Sequence, residues 1–446
     1  MTDIQGYKGV SYNLLSKSKV SIGDFIDVKT NNGSIQGSLM PRYEYADDQH
    51  IVIKMSNGYN VGLRTKKIIS IKLITKRSAP SFQPPKTPKL DPKLPKVAII
   101  GTGGTIASRV DYRTGGVHPQ FSTNELYAIV PEIGKYAQIH TKPLLNIYSE
   151  HINADHWNII AEKTVKEITE GFDGIIIAHG TDTMGYTSAA LSFALSNSPV
   201  PIILVGSQRS TDRPSSDAAL NLIGAVASVT RIPFSGVYVA MHGSVNDSTV
   251  AIHRGTRVRK NHTSRRDAFQ SIDVSPVAFF KDEKVEVLTE DLPLKNSSLQ
   301  FKVRCQFEKD VALIKFYPSF NYKLIDHLVD SGYRGIVFEG TGLGHLGEDC
   351  YQSIDDAVKK GLLVGMTSQC IWGRVNLTVY DSGRDLLKIG VIPLGDMLPE
   401  TALVKMMWAL GNAQSGKEAE ILMHENIAGE YLERSTFERR KKYEFI

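Results

Sequence analysis

The chain has 446 residues, 41% hydrophobic and 22% charged, the balance of a soluble globular protein with room for two or three domains. Its net charge of +5 is too mild to argue for a nucleic-acid partner. Cys305, Cys350 and Cys370 make no disulfide framework and fit a reducing cytoplasm, and with a polar stretch from Met1 to Val10 and no run of about 18 apolar residues, neither a secretion signal nor a membrane span is expected.

Residues 1–75 read as a small β-barrel of short strands. Asp27-Val28-Lys29-Thr30 runs into the hairpin turn Asn31-Asn32-Gly33, and the alternating Ile51-Val52-Ile53-Lys54 precedes Asn57-Gly58. Ile68 to Ile74 is a further β-rich run. Residues 76–96 form a linker, with prolines at 80, 84, 85, 88, 92 and 95 and lysines at 86, 89, 93 and 96. Such repetition favours an extended, solvated tether over an RNA-binding element.

From residue 97 strands alternate with helices, the signature of a parallel α/β sheet. Strands are expected at Val97–Ile100, Ile175–Ala178, Ile202–Val205 and Val237–Met241. Helices are expected at Ser188–Leu195 and from Asp217 to about Ser228. A second unit follows: Val311–Phe316 as strand, Leu324–Ser331 as helix, Gly335–Glu339 as strand, the glycine-rich loop Gly340 to Gly347, and a helix over Leu398–Leu410. The two α/β domains are bounded at 97–295 and 305–446. The tail from Lys417 reads as charged and helical, with the basic cluster Arg439 to Lys442 as a solvated face.

Several chemistries are disfavoured by pattern. A dinucleotide fingerprint would need Gly or Ala where Ile106 stands, and Gly115, Gly116 and Pro119 prevent a helix from opening on that loop. There is no phosphate-binding Gly-x-x-x-x-Gly-Lys-Ser/Thr, no His-Glu-x-x-His or Cys-x-x-Cys metal spacing and no Gly-x-Ser-x-Gly elbow. His151 and His156 read as loop histidines, and Cys370 as a small buried residue.

Two threonine-bearing loops remain. Gly101-Thr102-Gly103-Gly104-Thr105-Ile106-Ala107 and His179-Gly180-Thr181-Asp182-Thr183 each follow an apolar strand, where open α/β sheets place their chemistry. A threonine hydroxyl attacks only when a base activates it. Asp182 and the basic stretch Arg254 to Lys260 are the available partners.

These two loops, with Arg257-Val258-Arg259-Lys260 and Arg266-Asp267-Ala268-Phe269, resemble in order and spacing the motifs of the bacterial-type L-asparaginase family. The likeness runs from about 97 to 420 and implies two asparaginase-type α/β domains. It implies Thr105 as nucleophile and Thr181 with Lys260 in proton transfer. It gives Asp182 the substrate's α-ammonium and the orientation of Lys260. Burial would favour a neutral, basic Lys260 and the neighbouring carboxylate a charged one, able instead to stabilise an oxyanion. Tyr112, in the stretch Arg109 to His118, matches the tyrosine of a mobile lid. Ser149 and Glu150 match a substrate-binding Ser-Gln pair, with an acid where simple asparaginases often carry an amide.

The leading stretch, Gly37 to Arg42 through His50 to Lys54 and Asn57 to Asn60, is similar to the first domain of the archaeal glutamyl-tRNA(Gln) amidotransferase D-subunit family. That resemblance implies a glutaminase that passes ammonia to a partner, the amidotransferase E-subunit. The partner uses ATP and Mg to activate glutamate on Glu-tRNA(Gln). No cofactor or metal is expected on this chain. A homodimer within a heterotetramer is expected, in the cytoplasm and off the membrane. The competing readings are a free-standing L-asparaginase and a non-catalytic RNA-binding regulator.

Overall fold

The computed structural model describes all of the chain except residues 1–3, 5, 43–45, 56–59, 77–90, 104–107, 111–116, 120–125, 128–129, 210–215, 290–291 and 435–446. Thr105, Tyr112 and the cluster Arg439 to Lys442 lie outside the described residues, as does most of the proline-rich stretch.

The leading unit opens with helix α1 (Gly9–Lys17), which the sequence pattern does not announce. Strands β1 (Phe25–Thr30), β2 (Gly33–Leu39), β3 (His50–Lys54), β4 (Asn60–Arg64) and β5 (Ile68–Thr75) follow. They pair antiparallel in the order β4-β3-β2-β1-β5. Alternation puts Ile26, Val28, Ile51 and Ile53 on one face, where they bury with Leu15 of α1.

The next unit is built on β6 (Lys96–Gly101). After it come the short β7 (Ser108–Val110) and β8 (Val117–Pro119), which pair with each other, then β9 (Gln138–Pro143), helix α2 (Ala154–Thr169) and β10 (Gly174–Ala178). Helix α3 (Met184–Ala194), β11 (Pro201–Val205), α4 (Ala218–Arg231) and β12 (Gly236–His242) continue the alternation. Strands β9, β6, β10, β11 and β12 are parallel. Their apolar runs are continuous because both faces are covered. Ile175 and Ile177 pack toward α2 and α3, and Ile176 and Ala178 toward α4.

The sheet then departs from the expected pattern. Strand β13 (Thr249–Arg254) turns back antiparallel to β12. After β14 (Val258–Lys260) and β15 (Phe269–Ser271), a separate ladder, β16 (Ala278–Lys281) and β17 (Lys284–Val287) extend the main sheet antiparallel. Its full order is β17-β16-β13-β12-β11-β10-β6-β9.

The second α/β unit contains β18 (Val311–Lys315), α5 (Lys323–Asp330), β19 (Gly335–Gly340), α6 (Tyr351–Lys359), β20 (Leu363–Ser368), α7 (Asp381–Ile389) and β21 (Ile392–Pro393). Its four strands are parallel in the order β18-β19-β20-β21. Helices α8 (Pro399–Asn412) and α9 (Gly416–His424) complete it. Helix α3 is apolar on nearly all sides because it lies between the main sheet and α8. Phe193 meets Trp408 there, with ring centroids 5.8 Å apart, so the two α/β units share one core.

Three expectations are corrected. Among the described residues of the tail, the helix ends at His424; residues 425–434 are irregular and fold back onto the body. Cys370 is exposed, because it stands in the turn beyond β20 rather than inside the sheet. His156 was expected in a loop but stands in the first turn of α2. Its amide donates to Asn153 Oδ1, and its ring accepts from the Asn153 amide, a capping box that opens α2.

Candidate active site

Three loops meet at the carboxyl ends of β6, β9 and β10. Thr102 is buried, and both its amide and its hydroxyl donate to the Ala178 carbonyl, at 3.0 and 2.9 Å. It braces the loop after β6 and leaves Thr105 as that loop's other hydroxyl. Gly103 follows at φ +112, and a Cβ there would lie 2.2 Å from the Ile147 carbonyl oxygen. Glycine is therefore required by both backbone conformation and space.

The second loop repeats the arrangement. Thr183 donates its hydroxyl to the Ser149 carbonyl at 2.7 Å, and a Cβ on Gly180 would lie 2.8 Å from Ser149 Cβ. Thr183 is thus a brace, holding the loop after β9 in which Ser149 is buried and Glu150 exposed. His179 is fully buried, with Nδ1 donating to the Gly180 carbonyl at 2.6 Å. Burial pushes the imidazole down to about 4, so it is neutral and serves the turn.

Thr181 meets a lysine instead of a carbonyl. Lys260 arrives on β14 and places Nζ 2.9 Å from Thr181 Oγ1 and 2.6 Å from Asp182 Oδ1. The lysine stem is largely covered, whereas the Asp182 side chain is 67% exposed. That exposure leaves its carboxylate open to a cationic group from solvent. The structure thus brings together Thr181, Asp182 and Lys260, which are 78 and 79 residues apart in sequence. It sets Ser149 and Glu150 beside them through the Thr183 brace. Among the described residues no group of three His, Cys, Asp or Glu side chains is arranged to hold a metal ion, and no helix is long and apolar enough to cross a membrane.

Sequence reasoning missed what lies behind the lysine. Arg257 is fully buried and donates from Nη2 to Asp396 Oδ2 at 2.8 Å, and from Nη1 to the Asp396 and Glu430 carbonyls. Arg259 pairs with Glu400 in the first turn of α8 at 3.1 Å. Tyr186 of α3 lies beside that pair. Burial, reinforced by the Glu400 charge, raises its phenol to about 12 and keeps it protonated. The family resemblance singles out Thr105 and Thr181; that Thr102 and Thr183 brace the loops was not legible in sequence.

A threonine–lysine–carboxylate cluster at parallel strand ends, in two α/β units with a shared core, defines an asparaginase-type amidohydrolase. The family comparisons agree. Residues 96–293 match the model described as asparaginase, N-terminal, and residues 310–423 match the glutaminase/asparaginase C-terminal domain. Among solved structures, the chain is similar to the thermostable L-asparaginase from Thermococcus kodakarensis. Identity is 35% and TM-score 0.68, covering 76% of this chain and 100% of that one. L-asparaginase I from Vibrio cholerae is 26% identical with TM-score 0.66, covering 76% and 99%.

The leading unit narrows the assignment. Residues 20–74 match the GatD N-terminal domain. The glutamyl-tRNA(Gln) amidotransferase D-subunit of Pyrococcus furiosus is 50% identical over 95% of this chain and 98% of its own. That of Metallosphaera sedula is 46% identical over 98% of both. The chain belongs to the glutamyl-tRNA(Gln) amidotransferase D-subunit family.

Proposed function

We propose that the chain hydrolyses glutamine to glutamate and ammonia, as one component of an ATP-dependent amidotransferase that converts Glu-tRNA(Gln) to Gln-tRNA(Gln). The placement of Lys260 Nζ 2.9 Å from Thr181 Oγ1 and 2.6 Å from Asp182 carries the reading, because it joins a hydroxyl, a proton carrier and a carboxylate beside the loop of Thr105.

In this reading Thr105 Oγ attacks the side-chain carbonyl carbon of glutamine. Lys260 enters this step as a neutral amine; the hydroxyl proton passes through Thr181 to it, and the lysine returns that proton to the leaving nitrogen as the tetrahedral oxyanion collapses and the C–N bond breaks. The leaving nitrogen departs as ammonia, leaving an ester on Thr105. Water, deprotonated by the same pair, attacks that ester and releases glutamate, and the proton returns to Thr105. Asp182 holds the substrate's α-ammonium while orienting Lys260. Ser149 and Glu150 complete recognition of the amino-acid end, and Tyr112 closes over the substrate.

The partner, the amidotransferase E-subunit, supplies ATP and Mg and receives the ammonia. Two copies of this chain pair within the heterotetramer, in the cytoplasm. The leading unit supports this reading over a free-standing L-asparaginase, since the asparaginase structures above cover only 76% of the chain. The test is ammonia release from glutamine and from asparagine, by the chain alone and then with the E-subunit and Glu-tRNA(Gln). Strong stimulation of glutamine hydrolysis in the full complex is expected. Brisk asparagine hydrolysis by the chain alone, indifferent to the partner, would overturn it.

A further inference from the structure

Lys260 sits near the end of a three-residue strand whose single ladder is with β15, itself only three residues long. Such a strand is too short to fix an ammonium by its own pairing, so its support must come from elsewhere. It comes from the segment after α9. Thr256 Oγ1 donates to the Ala428 carbonyl at 3.1 Å, Arg254 Nη1 to the Gly429 carbonyl at 3.4 Å, and Arg257 Nη1 to the Glu430 carbonyl at 3.0 Å. Three consecutive carbonyls thus receive three side chains from the stretch that leads into Lys260.

Glu430 makes those carbonyls converge. Its carboxylate accepts from the Ile427 amide at 3.1 Å and the Ala428 amide at 2.7 Å, curling the segment into a tight turn. The turn passes through Gly429 at φ +68, where a Cβ would strike Arg254 Nη1 at 1.6 Å. The same carboxylate pairs with Lys405 of α8 at 2.6 Å, with both side chains fully buried. Asp396 closes the arrangement, taking Arg257 Nη2 on one oxygen and the Leu432 amide on the other. A buried, mutually satisfied polar network of this kind fixes one backbone arrangement.

We propose that Glu430 is a positioning residue for the reaction: by shaping the 427–430 turn it holds the Arg254–Arg257 stretch, and through it Lys260, against Thr181 and Asp182. The inference rests on the glutaminase reading above. It predicts that the acceptor atoms of residue 430 matter more to turnover than its charge.

Two paired variants separate these roles in the full amidotransferase complex. Glu430→Gln with Lys405→Met removes the buried ion pair but keeps one acceptor oxygen, where the carboxylate offered separate oxygens to the Ile427 and Ala428 amides. Glu430→Leu with Lys405→Met removes both. The first, with one acceptor left, should keep kcat for glutamine hydrolysis well above that of the second. The second should lower kcat about tenfold or more with KM within about twofold, since only alignment of the reacting groups is lost. Equal kcat in the two variants overturns the proposal. Thr256→Val, an isosteric change that removes one clamp hydrogen bond, guards against a variant that does not fold. It should lower kcat with unchanged KM and unchanged thermal midpoint, and an unaltered kcat overturns the proposal. If the wild-type complex itself releases no ammonia from glutamine, the glutaminase reading fails instead.

Discussion

Lys260 and Lys405 each hold a carboxylate at 2.6 Å, yet they are opposite kinds of ion pair. Asp182 is 67% exposed, so the Lys260 pair is open to solvent, as the proposed mechanism requires of it. Lys405 and Glu430 are 0% exposed, and their remaining donors and acceptors are taken by backbone groups. The same chemistry works at the surface of a site and fixes geometry inside a core. Solvent access, rather than distance, decides which.

The sharpest test of that contrast is to remove a partner from each pair. Lys260→Ala and Thr181→Ala are each expected to reduce ammonia release from glutamine by about a thousandfold or more, with the urea midpoint essentially unmoved. Near-wild-type turnover in either folded variant would remove that residue from the mechanism. Lys405→Met should behave in reverse. Leaving Glu430 buried and unpaired costs about 3–5 kcal/mol, read as a lower urea midpoint, and pairing it with Glu430→Leu should recover much of that loss. A single variant as stable as the wild type would show that the pair is not sealed.

Acidification probes the buried polar groups more gently. Burial pushes His179 down to about 4 and His253 to about 3, so both are neutral in the folded chain. The unfolded chain takes up those protons at an ordinary histidine pKa near 6.5. Stability is therefore complete above that value and is lost as pH falls from about 6.5 toward 4. The slope is about 1.4 kcal/mol per pH unit for each histidine. Urea midpoints measured between those limits should fall with pH, and His179→Asn, which keeps a donor for Gly180, should flatten the decline. An unchanged slope in that variant would mean that His179 titrates normally. Smallest of all, Asp182→Asn should alter stability by no more than about 1 kcal/mol while raising KM for glutamine. A large fall in the urea midpoint would place Asp182 among the structural pairs.

Legibility in the sequence followed locality. Val97–Ile100, Ile175–Ala178 and Ile202–Val205 announce themselves as doubly buried strands because continuous apolar runs have few other uses. Thr181, Asp182 and Lys260 were singled out by the family resemblance of their motifs, and the structure brings them into contact. Strands β13, β16 and β17 were not foreseen as antiparallel additions, since strand direction is decided by connections rather than composition. The roles of Thr102 and Thr183 depend on carbonyls distant in sequence, at the end of β10 and in the loop after β9. Asp396, Glu400 and Glu430 escaped altogether. An acid in a polar stretch reads as solvated until the chain folds a buried lysine or arginine onto it.

The support of Lys260 also has an order in time. Thr181 and Lys260 are synthesised well before residues 427–430, whose carbonyls hold the Arg254–Arg257 stretch. Domains can fold as they emerge from the ribosome, N-terminal portions first. The main sheet can therefore assemble on a nascent chain while the lysine strand still lacks its clamp. A product that ended before residue 427 would carry Thr181, Asp182 and Lys260 without the three carbonyl contacts of that turn.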